Sequence, residues 1–391
     1  MLCGPGQSKH EAKESETPGM ELSTAASKAQ SVPEGFPALL EGFRERLDRE
    51  LHAWLEAKRR AAAEAGSPEM LELIDGVGQL VVHGGKRVRP ALVYHAYRAC
   101  GGAADGPVGG QILPLALATE FLHTYLLIHD DIMDHAEMRR GQPAAHVRFR
   151  NAHSQRGFHG DARDFGLSVA ILLGDLAHTW AVELASCAAA GRPELARCFA
   201  AMSEEVIGGQ YLELLVAQRR AAKEEELTRV LRLKSGRYTA ERPVQLGAIL
   251  AGAAPEVIAG LALYGAAVGE AFQLQDDLLG MFGEAETVGK PVGDDLREGK
   301  FTFLIHHALS AATPEQREAL ENALGDPGVT ADEVARVQRI LEETGARARV
   351  EAMIEERLLS ARQALQGLGE LRQEGRLFLE GLLDYLWERE L

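Results

Sequence analysis

The chain has 391 residues, 46% hydrophobic and 26% charged, which is enough apolar material for a sizeable core and a composition unlike that of a membrane-embedded or disordered protein. A net charge of −16 argues against a nucleic-acid surface, which needs a basic stripe, and means that any anionic substrate must be met by local cations. Four cysteines (Cys3, Cys100, Cys187, Cys198) without CxxC spacing exclude a disulfide scaffold and fit a reducing cytosol.

Residues 1–35 are rich in Ser, Glu, Lys, Gly and Pro, show no apolar period and read as a disordered tail. They carry neither the basic segment nor the apolar run of a signal peptide, so a cytoplasmic protein without a membrane span is expected. From Phe36 the pattern turns helical. Phe43, Leu47, Leu51, Trp54 and Leu55 recur at helical spacing, and Gly66-Ser67-Pro68 closes that helix and opens the next. Further along, Thr313-Pro314-Glu315-Gln316 and Thr330-Ala331-Asp332-Glu333 have the form of capping boxes. Alternating β patterns are missing, which predicts one all-α domain over 36–391.

The segment His83-Gly84-Gly85-Lys86-Arg87-Val88-Arg89-Pro90 sets three cations beside two glycines. Glycines let backbone N–H groups approach an anion, and an arginine fork matches phosphate oxygens. Alone, the same segment reads equally well as a simple turn.

Two aspartate motifs carry more. Asp130-Asp131-Ile132-Met133-Asp134 follows the apolar run Leu115–His129, and Asp276-Asp277-Leu278-Leu279-Gly280 follows Leu261–Gln275. The first of these runs contains Thr119, Glu120, His123 and Thr124, which favours a core helix over a membrane span. Carboxylates ending buried helices are costly to desolvate unless something neutralises them. Mg²⁺, which takes one or two carboxylates plus phosphate oxygens, does so. On a helix, Asp130 and Asp134 share a face with His123 and Leu127, and Asp131 is turned away by about 100°. Arg139-Arg140 follow at once. Lys234-Ser235, Lys290 and Lys300 add cations around the second motif, each of them, taken singly, more in keeping with a solvated surface.

With these motifs in order along the chain, the sequence resembles the trans-isoprenyl diphosphate synthases, the polyprenyl synthetase family. The resemblance rests on GGKRVRP at 84–90, LIHDDIMD at 127–134 and RRGQP at 139–143. It continues through GD at 174–175, GQ at 209–210, KSGRYT at 234–239, FQLQDD at 272–277, GKP at 289–291 and DDLREGK at 294–300. It implies an all-α helix bundle around a deep central cavity, a homodimer, and condensation of isopentenyl diphosphate with an allylic diphosphate. By the same resemblance, Asp130 and Asp134 hold two Mg²⁺ ions and Asp276 a third. Arg139, Lys234 and Lys290 share the allylic diphosphate's charge, joined by Lys300 among the substrate-binding residues. Gly85, Lys86, Arg89, His123 and Arg140 hold isopentenyl diphosphate. Ser235 and Gln273 turn oxygens to the allylic cation. The chain departs from the family at Gly280, where many members carry a third aspartate, and at Glu213, where Asp is common.

Product length in this family follows bulk at the fifth and fourth residues before the first motif, here Tyr125 and Leu126. An aromatic at the former resembles enzymes that stop at twenty carbons, with a farnesyl producer as the near alternative. A terpene cyclase and a non-catalytic subunit are disfavoured by the intact basic loop and the two aspartate pairs. The His-rich stretch 144–166 is expected to be a mobile loop rather than a zinc site of His146, His153 and His159.

Overall fold

Helix α1 (Phe36–Glu64) buries Phe43, Leu47, Leu51 and Leu55 along one stripe, as their spacing predicts. Gly66 ends it in a left-handed conformation, and α2 (Pro68–Val82) starts on Pro68, where a missing N–H costs nothing. The computed structural model describes residues 35–83, 85–103, 106–283 and 292–388, which belong to one compact unit. The expected tail, apart from Gly35, lies outside the described residues, and so does Lys290.

The remaining elements up to the second motif are α3 (Val88–Ala99), the short α4 (Gly106–Gly109), α5 (Ile112–Met133), α6 (Ala145–Gln155), α7 (Ala162–Ala188), α8 (Pro193–Arg219), α9 (Glu224–Val230), α10 (Arg242–Ala251) and α11 (Pro255–Phe282). Between α9 and α10 the chain continues without a break as a π-helix, Leu231–Glu241. Pro243 gives a local reason. It lacks an N–H for the carbonyl four residues earlier, and its ring would crowd that carbonyl in an α-helix. After Asp294–Arg297 and Phe303–Ala311, the predicted capping boxes open helices Pro314–Ala323 and Ala331–Glu343, with Thr313 and Thr330 accepting from the third backbone N–H. Two long helices, Ala346–Gln366 and Gln373–Glu388, complete the bundle.

One expectation needs correcting. Residues 144–166 are not a loop: α6 spans eleven of them, and α7 starts at Ala162. The helix forms because Ala145, Phe149 and His153 fall on one buried face at four-residue spacing, so two of the apparent polar residues, His146 and His153, are core positions. The imidazoles do not converge on a metal; His153 Nε2 lies 3.2 Å from the His159 carbonyl, and its ring packs on Phe158 and Phe165. The all-α expectation holds apart from one small hairpin. Met138–Arg139 and Gln142–Pro143 pair antiparallel around Arg140 and Gly141, both at positive φ. That is the signature of a two-residue hairpin turn.

Length and composition alone make α5, α7 and α11 each able to cross a membrane, although only α5 is weighed as a span from the sequence. In the fold all three are bundle walls, with 61%, 39% and 50% of their most apolar windows buried.

Candidate active site

A cavity of about 690 Å³ enters the bundle between α5, α8, the π-helix and α11. Every predicted site residue among the described ones lines it except Asp134. Asp134 follows the last residue of α5 as its C-cap, and its carboxylate lies 3.4 Å from the ammonium of Lys300, which does line the cavity. The α5 wall is broader than one helical face. Tyr125, His129 and Met133 border the cavity as well as His123, Leu126, Leu127 and Asp130.

The charges separate into two halves. In one, carboxylates and lysines alternate. Lys234 pairs with Glu213 and sits 3.6 Å from Asp130 Oδ1. Lys300 is 3.2 Å from Asp295, 3.4 Å from Asp134 and 2.6 Å from Glu298. Burial opposes the Lys300 charge, but these three carboxylates hold its pKa well above the usual range. Asp134 is pushed up to about 6, chiefly by burial, with Lys300 working in the opposite direction. Asp277 is pushed up to about 8 by burial and by neighbouring Asp295. Glu213, noted in the sequence only as a departure, is thus the direct partner of Lys234.

The other half is cationic. Arg89 and Arg140 have no carboxylate partner among the described residues; Arg89 donates to Thr239 Oγ1 at 3.0 Å and Arg140 to the His83 carbonyl at 3.2 Å. Burial and the adjoining Arg87, Arg139 and Arg89 charges lower the pKa of Arg140, against the pull of Glu120. Behind this half, Arg87 is buried. It pairs with buried Glu120 and donates to the Val81 carbonyl at 2.7 Å, pinning the basic segment to α5 and α2. The sequence motif drew attention to all the cations of that segment, and only Glu120, isolated inside an apolar run, hinted that one of them is structural. Arg139 stands between the halves: it bonds Asp131 and is 4.0 Å from Asp130 Oδ2.

The widened helix explains how one segment supplies several groups. A π turn advances by more than four residues, so Lys234 and Ser235 face the cavity together with Tyr238 one turn on. Ser235 Oγ donates to Gln273 Oε1 at 2.7 Å, and Gln273 Nε2 donates to Asp277 Oδ1 at 2.8 Å, which locks the amide orientation. Three glycines bring the supporting backbones into contact. A Cβ at Gly209 would sit 2.5 Å from the Lys234 nitrogen, and one at Gly269 would sit 2.3 Å from the Gly236 carbonyl.

A family model described as polyprenyl synthetase matches residues 72–343. The chain belongs to the polyprenyl synthetase family. It is 34% identical to the short chain isoprenyl diphosphate synthase of Methanothermobacter thermautotrophicus over 317 residues, covering 80% of this chain and 88% of that protein. It is 33% identical over 294 residues to the geranylgeranyl diphosphate synthase of Methanosarcina mazei, covering 70% and 84%. Among solved structures, the geranylgeranyl pyrophosphate synthase of Corynebacterium glutamicum, complexed with isoprenyl diphosphate and magnesium, superposes with a TM-score of 0.84 at 34% identity, covering 90% of this chain and 99% of that one. This polyprenyl synthetase is therefore a prenyltransferase with the all-α isoprenoid synthase fold.

In this polyprenyl synthetase Gly280 faces Asp295. A Cβ at Gly280 would lie 3.0 Å from Asp295 Oδ2, so the space beyond the second motif is already taken by a carboxylate from a later helix. No group of three or more ligating side chains among the described residues is close enough to hold a metal by itself. The oxygen donors Asp130, Asp134 and Asp276 fit an ion that draws the rest of its shell from water and phosphate, which is the habit of Mg²⁺.

Proposed function

We propose that this enzyme condenses isopentenyl diphosphate with an allylic diphosphate in the cytoplasm and releases geranylgeranyl diphosphate. The observation that carries the reading is the division of one cavity into two anion sites of different design. Arg89 and Arg140, without a carboxylate partner among the described residues, suit a diphosphate bound directly by protein cations, with Lys86, Gly85 and His123 beside them. The half built from Asp130, Asp134 and Asp276 with Lys234 and Lys300 suits a diphosphate bound through metal. When bound there, Mg²⁺, three ions by family resemblance, neutralises a leaving diphosphate. By the family resemblance, Arg139 and Lys290 would share the charge of that diphosphate.

The allylic C1–O bond breaks and its electron pair leaves with the diphosphate. The double bond of isopentenyl diphosphate then attacks C1, a new carbon–carbon bond forms, and the proton lost from the adjacent carbon passes to the released pyrophosphate. The residues contribute electrostatics rather than a base. Ser235 and Gln273 turn fixed dipoles toward the positive carbon, and the Gln273 amide is kept in place by Asp277. Leu126, Leu127, Val206 and Phe272 supply an apolar wall that keeps water from the carbocation. The outer face of α7, with Ile171, Leu172 and Val182 exposed at 46%, 53% and 43%, supports a homodimer, to be checked by light scattering.

The decisive experiment incubates purified enzyme with Mg²⁺, isopentenyl diphosphate and each allylic primer, and sizes the products. A twenty-carbon end product is expected. A fifteen-carbon end product would replace the product assignment, and a cyclic hydrocarbon or no elongation would remove the reaction itself.

A further inference from the structure

The hydroxyl of Tyr238 lies 2.8 Å from Nδ1 of His123. The face of the same ring carries the Arg89 guanidinium, 4.4 Å from its centroid. Arg89 is held there by its bond to Thr239, the next residue of the π-helix. One buried turn of that helix therefore touches two of the side chains, one from α3 and one from α5, that the cationic half presents to a diphosphate. Nothing in the periodicity of KSGRYT distinguishes Tyr238 from a core aromatic.

An imidazole facing a phenol has two tautomers. Either the phenol donates to Nδ1 and Nε2 keeps its proton, or Nδ1–H donates to the phenol and Nε2 is left as a lone pair. Charge on the ring is opposed by burial and then by Arg89, Arg140, Arg139 and Arg87, which together hold His123 well below the usual histidine range. Burial also keeps Tyr238 a phenol, raising its pKa far above the ordinary value. A bare Nε2 would repel a diphosphate oxygen, whereas Nε2–H bonds it without adding a further cation to four guanidinium groups.

We infer that Tyr238 is a positioning residue: its hydroxyl donates to His123 Nδ1, fixing the Nε2–H tautomer as a neutral donor to the diphosphate of isopentenyl diphosphate. The inference rests on the assignment of the cationic half made above.

Tyr238→Phe keeps the ring under Arg89 and removes only the hydroxyl. Its KM for isopentenyl diphosphate should rise about tenfold, the scale of one hydrogen bond to a charged group, with kcat and the allylic KM nearly unchanged. In a His123→Ala background the same substitution should add nothing. Histidine-labelled ¹⁵N spectra should show the Nε2–H tautomer in the native enzyme and a mixture in Tyr238→Phe, a readout that loss of packing would not produce. An unchanged KM in Tyr238→Phe, a full further rise on top of His123→Ala, or an Nδ1–H tautomer in the native enzyme overturns the inference. If His123→Ala and Arg89→Ala both leave the isopentenyl KM untouched, the assignment of the cationic half fails first and takes the inference with it. If both raise that KM while Tyr238→Phe does not, only the role of Tyr238 is lost.

Discussion

Asp131 and Arg139 form a buried ion pair, with Asp131 Oδ1 accepting from Arg139 Nε at 2.7 Å and side chains only 3% and 15% exposed. The middle aspartate of the first motif is thereby spent on holding the hairpin that follows it, and Arg139 is kept within 4.0 Å of Asp130. Asp131→Ala leaves a buried guanidinium without its partner and should cost roughly 3–5 kcal/mol in denaturant unfolding. Asp130→Ala should do the reverse, losing most turnover at saturating Mg²⁺ while the fold stays intact. Equal behaviour of the two variants would contradict the separation of roles.

The raised carboxyl groups predict a pH-dependent response to metal. Asp134, ordinarily near 3.8, is raised to about 6 in the folded chain. Below about pH 4 it is protonated in both states and contributes nothing. Above that, the unfolded chain ionises first, and a penalty grows to about 3 kcal/mol once the pH exceeds 6. Asp277, at about 8, extends the loss further upward. These two carboxyls therefore subtract stability between about pH 4 and pH 8, while the buried imidazoles of His95 and His123, held below the usual histidine range, add it over the lower part of that interval. Mg²⁺ with inorganic pyrophosphate should raise the melting temperature more at the upper end of that range than at the lower. A gain of equal size across the range would count against these carboxylates being the relieved groups.

Glu120 and Arg87 are each 4% exposed and make the deepest ion pair behind the site. Glu120→Leu alone leaves Arg87 with only the exposed Asp48 carboxylate among the described residues, 3.3 Å away, and should cost up to about 3–5 kcal/mol. Pairing it with Arg87→Met should recover most of that stability. The KM for isopentenyl diphosphate should nonetheless stay high, because Arg87 also tethers the basic segment to the Val81 carbonyl. Thermal unfolding and substrate titration of the single and double variants separate the two effects.

A side chain at position 280 would crowd the Asp295 carboxylate, which lies 3.0 Å from where its Cβ would stand. Gly280→Asp should lower kcat, because it displaces Asp295 from its place 3.2 Å from Lys300. Combining it with Asp295→Ala should restore much of the rate. A gain in activity from Gly280→Asp alone would show that the site lacks a carboxylate.

Tyr125 borders the cavity while its ring packs on His129 at 4.7 Å and on His178 of α7 at 4.9 Å. It closes the seam between two helices as well as one flank of the apolar wall. Tyr125→Ala should lengthen the product ladder and also lower stability, by roughly 3–5 kcal/mol for a large aromatic truncation. Tyr125→Phe should change neither by much. A destabilised variant with an unchanged ladder would move the length determinant to Leu126 or Leu127.

Apolar spacing made α1, α5 and α11 legible, and the motifs placed Asp130, Asp276, Lys234 and Lys300 around one cavity before any geometry was known. What stayed hidden depends on pairs and on backbone irregularity. The π-helix has no period of its own over so short a run, and without it Tyr238 looks like core. The α6 helix was obscured because histidines fill apolar positions on its buried face. Asp295 became relevant only through Gly280, fifteen positions earlier, and Glu213 only through Lys234.

Because Gly209 and Gly269 let α8, the π-helix and α11 touch main chain to main chain, the span of the catalytic chamber is gauged by missing methyl groups. Side-chain layers can give by a rotamer; bare backbones in contact have no such slack. The ammonium of Lys234, the hydroxyl of Ser235 and the amide of Gln273 are thus mounted on one stiff block, and a single added carbon at either glycine would act as a shim. It would displace this block as a unit from the carboxylates of α5, changing the reach between ionising carbon and leaving group without altering any residue that touches either.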